Sequence, residues 1–330
     1  MSIVKQIRKQ RPNIKDTTIN SYFQYIKKLY QTLNSTTELP TSVSFLNDFD
    51  EIEKVMEKYR PNTKKNYYSA VVVALKAYDR PVELISKYEV IRDEVQTQYD
   101  NMTKANKKTE KQKENWISLE QYDALLDKYR STIKEKKLFT AEHVDKKGLE
   151  TLKEYMILLT YRNLPLRNDF ANMRILTKRK YDSLTSEEKD TQNYLVGSAH
   201  AKASDTTGFK FYINDYKTKK TFGNKVIEVP LVLQKEIKKY VKQTRRADVT
   251  MTGQPHYYLT DTNQNPITPN GITKLLTKIF KNEYNKNVSS SMIRHIILSE
   301  KYGDVVQNMK NDSALMLHSV AQQKNYTKSD

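Results

Sequence analysis

The 330-residue chain has no cysteine, and this removes disulfides, thiol nucleophiles and every cysteine-bearing metal site together. Histidine is scarce as well. The five histidines, His143, His200, His256, His295 and His318, show no i, i+4 ligand spacing, so no metal is expected. Seven glycines are too few for a phosphate-cradling loop, and neither GxxxxGKS/T nor GxGxxG occurs, so no nucleotide or other cofactor is expected. No run of 18 apolar residues exists, the opening MSIVKQIRKQ lacks a signal-peptide core, and mean hydropathy is -0.79. The expectation is an intracellular protein, not secreted and not embedded in a membrane.

What the chain has is positive charge. Fifty-seven Lys and Arg against 39 Asp and Glu give a net charge of +18 and a pI near 9.5, which point to a polyanionic partner. Nucleic acid leads. An anionic membrane surface ranks below it, because no helix pattern joins a basic face to a strongly apolar, Trp-bearing one.

Apolar spacing predicts a helical first half. Ile19, Phe23, Ile26, Tyr30 and Leu33 recur at three- and four-residue steps behind a candidate cap, Thr18. A second helix runs from Phe45 to Tyr59 and stops at Arg60-Pro61, a third starts after Thr63, and a fourth covers about 83 to 102. The stretch KQIRKQR at 5 to 11 reads as a basic surface. These elements make a small all-α domain over 1–102. TKANKKTEKQKEN, 103–115, reads as a solvated linker, and Ser118 with Gln121 as a capping box that opens a second domain over 116–330.

That second domain begins with helices near 118–134 and 148–162. NYLVGSA, GFKFYINDYKT and NKVIEVP then alternate in the manner of three short strands, the last two forming a hairpin with Gly223-Asn224 near its turn. Helices return at 231–243, 268–284, 290–302 and about 304–318. The fold class is mainly α with one small antiparallel sheet.

Along this domain stand, in order, Arg167 in PLRNDF, Lys217 in YKTKKTFGN, Arg294 in SSSMIRHIILSEKY, His318 in LHS, and Tyr326 four residues before the end. The order Arg, hairpin Lys, Arg, His, Tyr resembles the catalytic set of the tyrosine recombinases, the phage-type integrase family that cuts and rejoins DNA. The resemblance covers 117–330 by motif and the first domain by architecture: a helical core-binding domain, a linker, and an α-rich catalytic domain with a three-strand sheet. Viral or mobile-element integrases are the members it suggests.

The resemblance implies a chemistry that suits these residue types. Tyr326 attacks a DNA phosphodiester, forming a 3′-phosphotyrosyl bond and releasing a 5′-hydroxyl, while Arg167 and Arg294 clamp the non-bridging oxygens with their planar, permanently charged forks. Lys217 serves as general acid at the leaving oxygen, with Lys219 and Lys220 as alternatives. His318 donates to a phosphate oxygen or accepts the phenolic proton. No metal or nucleotide cofactor is needed, and a homotetramer on double-stranded DNA is implied.

The pattern departs from the family at several places. Ser291 stands three residues before Arg294, where the family commonly has histidine, and His295 reads as a packed helix residue. The family's first-box carboxylate follows its arginine by three residues, but Asp169 follows Arg167 by two and is not carried over. Leu317 stands where a glycine commonly precedes the histidine. Two other functions remain beside site-specific recombination: a type IB topoisomerase-like relaxing enzyme, and a non-catalytic DNA-binding relic of a recombinase.

Overall fold

The computed structural model describes residues 2–104, 107–197, 208–247, 256–261, 263–317 and 320–323. It divides into two compact units, Met1–Lys108 and Thr109–Asp330.

In the first unit, α1 (Ile3–Gln10), α2 (Asp16–Leu33), α3 (Phe49–Met56), α4 (Pro61–Ala77) and α5 (Val82–Lys104) share one core. Helix α4 is its centre. Tyr67, Tyr68, Ala70 to Leu75 and Ala77 are all buried, so almost the whole circumference of that helix is covered rather than one stripe. Pro61, read as a stop, also sits at the helix start, where its missing N–H costs nothing. The basic opening stretch is α1, and its Ile3 and Ile7 plug into the core between the charged positions. Helix α2 begins two residues before Thr18, with Lys15 in the cap position.

The linker expected over 103–115 is largely helix. Thr103 and Lys104 end α5, while Glu110–Asn115 form α6 behind a capping box made by Thr109 and Gln112. Asn115 is buried and its Oδ1 accepts from the Asn287 backbone N–H at 2.6 Å, which ties α6 to the second unit.

That unit is built around α8 (Lys146–Asn163), whose Leu152 and every residue from Tyr155 to Tyr161 are buried. Helices α7 (Leu119–Glu135), α12 (Leu231–Ala247), α13 (Pro269–Tyr284) and α14 (Ser290–Leu315) contribute to the same core, with Ile175, Leu195, Phe211 and Ile213 from a sheet. Helix α14 runs unbroken through Gly303, where two helices were expected.

The sheet corrects the antiparallel, three-strand expectation. It has four strands in the order β1 (Arg174–Leu176), β2 (Tyr194–Val196), β3 (Lys210–Ile213) and β4 (Lys225–Glu228). β1 pairs parallel to β2, and the other two pairs are antiparallel, so the sheet is mixed. The parallel pair needs a crossover, and two short helices supply it: α9 (Lys178–Asp182) and α10 (Ser186–Asp190). β3 and β4 form the expected hairpin, but their connection is the whole of 214–224 and contains a helical turn, α11 (Lys219–Phe222). Gly223 ends that turn at φ 64, ψ -167, a conformation open essentially to glycine alone. Among the described residues no helix is long and apolar enough to cross a membrane.

Candidate functional site

Arg167 follows the end of α8, where Pro165 stops the helix and 164–167 leave regular structure, with Leu166 N–H donating back to Leu164 O at 2.7 Å. A short 3-10 turn, Asn168–Phe170, comes next. Phe170 is fully buried against Tyr161, ring to edge at 5.2 Å, and this anchor fixes the turn while Arg167 itself remains exposed. Asn168 holds the other side. It accepts the Tyr161 hydroxyl and donates to Pro269 O at 2.6 Å and Thr273 Oγ1 at 2.9 Å, so the turn is tied to the start of α13.

Arg294 lies in the second turn of α14, with Ile293, Ile296 and Ile297 buried beneath it. Ser290, four residues earlier, is buried beside Thr273, its hydroxyl 3.4 Å from the Thr273 hydroxyl. Tyr161 senses all of this. Burial pushes its phenol far up, and the Ser290 hydroxyl and Arg294 charge pull it partly back.

The charges of the two arginines both act on Asp169. Burial lifts the Asp169 carboxyl above the ordinary carboxylate range, Arg167 and Arg294 both oppose the lift, and Asp215 adds to it. A side chain set aside in the sequence therefore feels the charge of both proposed phosphate ligands.

Lys217 sits exposed in the turn just before α11. Of its two alternatives, Lys219 is engaged: its Nζ lies 3.1 Å from Asp190 Oδ1. Asn224 also donates to that carboxylate at 3.0 Å, and the pair of hydrogen bonds lowers the Asp190 pKa. Lys220 is exposed.

Ser291 is exposed on the first turn of α14, three residues before Arg294 and hence on the same side of the helix. His295 is exposed rather than packed, because the buried positions 293, 296 and 297 define the opposite face. His318 and Tyr326 lie outside the described residues. Leu317, immediately before His318, has φ 54, the left-handed conformation that a glycine would take without strain.

Three participants escaped sequence reasoning. Ser290 was one serine of a run of three, Asp169 had the wrong spacing from Arg167, and Asn193 bore no motif. Asn193 is 4% exposed and bridges the Asp169 and Asp215 backbones, at 2.8 and 2.9 Å. Its only sequence signal is a polar residue directly ahead of an apolar strand.

No protein-family model matches this sequence, and no curated protein does. Among solved structures the chain is similar to the crystal structure of XerA recombinase, at 12% identity and a TM-score of 0.34, over 99% of this chain and 94% of that one. A likeness of that degree carries no part of the functional reading.

Proposed function

We propose that this chain is a DNA strand transferase of the tyrosine-recombinase kind, acting on double-stranded DNA through a 3′-phosphotyrosyl intermediate. One observation supports it most: the charges of Arg167 and Arg294, 127 residues apart in sequence, both act against the rise of one partly buried carboxyl, Asp169. Two guanidinium groups whose fields overlap on one carboxyl would suit the non-bridging oxygens of a phosphodiester.

In the proposed reaction the Tyr326 phenolic oxygen forms a bond to phosphorus and the bond from phosphorus to the 5′-oxygen breaks. The leaving 5′-oxygen takes a proton from Lys217, and the phenolic proton passes to His318. The two arginines hold the charge that builds on the non-bridging oxygens. The phosphotyrosyl bond then conserves the energy of the broken linkage for rejoining. Integration of a mobile or viral element by a tetramer is the biological setting that this chemistry suits.

The test is a pool of nicked suicide duplexes of randomised sequence, incubated with the full chain and searched for protein-linked DNA. The expected result is an adduct that maps to Tyr326 and vanishes in Tyr326→Phe. An adduct that persists in that variant overturns the assignment. Duplex binding with no adduct from the unaltered chain favours a non-catalytic DNA-binding role.

A further inference from the structure

The connection between β3 and β4 rests on a seat formed by 189–193, the end of α10 and the entry to β2. Asn214 Nδ2 donates to Lys189 O at 2.8 Å, and Asp190 grips Lys219 and Asn224. At the centre is Asn193. Its Nδ2 donates to Asp169 O at 2.8 Å and Asp215 O at 2.9 Å, while its Oδ1 accepts from Asn214 N at 2.7 Å and Asp215 N at 2.8 Å.

Both donor hydrogens and both acceptor sites of this buried amide are thereby used, and all four bonds go to backbone. Only an asparagine has this set of groups at this reach. Aspartate has the shape without the two donors, and glutamine is longer by one methylene. The two segments that the amide joins are those that bear the phosphate ligand and the acid: Asp169 is two residues past Arg167, and Asp215 is two residues before Lys217.

We infer that Asn193 is a positioning residue that registers the Lys217 loop against the Arg167 turn, so that proton donor and phosphate clamp meet one phosphodiester. The inference rests on the strand-transfer reading above. Displacement of a reacting group by about 1 Å costs on the order of 100-fold in rate, so a loose seat should disable the acid before it disables DNA binding.

The experiment compares two versions of the duplex that the unaltered chain selects from the randomised pool. One has the ordinary 5′-oxygen at the scissile linkage and the other a bridging 5′-sulfur, whose thiolate departs without a proton. In the full chain, Asn193→Ala should cleave the oxygen duplex about 100-fold more slowly. It should cleave the sulfur duplex within a few-fold of the unaltered chain, as should Lys217→Ala. Asn193→Asp, which preserves side-chain volume, is measured in the same way and should show the same rescue by sulfur. Equal losses on both duplexes would mean that Asn193 only supports the fold, and undiminished oxygen cleavage would mean that it positions nothing; either overturns the inference. If the unaltered chain forms no adduct with any duplex, it is the strand-transfer reading that fails.

Discussion

Asp169 carries its charge against the pull of its surroundings. Burial raises its pKa, and the two arginines recover only part of that shift. The sign of the consequence is fixed by linkage. With a folded-state pKa above the unfolded value of about 3.9, the native chain retains a proton that the unfolded chain has released, so stability falls as pH rises through the folded pKa. Asp169→Asn should therefore melt at a higher temperature than the unaltered chain at pH 7, and the gain should shrink towards about pH 2.5, below both pKa values, where the aspartate is protonated in both states. Thermal unfolding at the two pH values checks this, and a pH-independent difference would contradict it. The same variant should form less DNA adduct, because it removes the carboxyl on which both arginine charges act. Arg167 and Arg294 were legible as residue types in a recognisable order. Asp169 was not, because its partly buried setting depends on the turn that Phe170 anchors in the core.

At the scale of elements, α14 shows how far glycine can mislead. Gly303 in a run of polar residues reads as a break, yet the helix continues through it, and a Cβ built there meets nothing within 4 Å. Gly303→Ala should stabilise the chain by about 0.5–1 kcal/mol, the usual difference between these residues inside a helix. At the far end of the same helix the opposite change is called for. Leu317 holds a left-handed backbone at φ 54 while its side chain lies in solvent, so Leu317→Gly should relieve roughly 1 kcal/mol of steric cost. Denaturant titration of both variants measures the pair; a destabilising Gly303→Ala would show that the helix breaks there after all. The missed elements have similar local causes. β1 is three residues long and begins with an arginine, and α1 shows only two buried isoleucines among basic residues. Neither stretch is long enough for a period to stand out.

For the whole molecule the governing quantity is charge. A net +18 should make DNA binding strongly salt-dependent, since each neutralised phosphate releases counterions. If the chain covers about 6–10 phosphates, affinity should fall by roughly 10³–10⁵ between about 50 and 200 mM salt. A fluorescence titration of labelled duplex at several salt concentrations measures the slope, and an affinity indifferent to salt would remove phosphate contact as the basis of binding. The two units each possess a separate core, one around α4 and one around α8, and the polar stretch read in the sequence as a linker, 103–115, spans the point where they divide. Its character was not. Residues 110–115 are as polar as a linker, but their capping box and the Asn115 hydrogen bond to Asn287 make them part of the second unit.

The sequence by itself determined the charge, the helical class, the longer helices and the residue types available for chemistry, because composition, apolar period and capping are local properties of a chain. Only the tertiary structure decided that β1 runs parallel to β2, that Asp169 feels the charge of both arginines, that Lys219 is engaged by Asp190, and that Asn193 joins the arginine turn to the lysine loop. Each of those facts concerns segments about twenty to more than a hundred residues apart. Their meeting is set by how buried surfaces pack and how buried polar groups find partners, and no spacing along the chain encodes it.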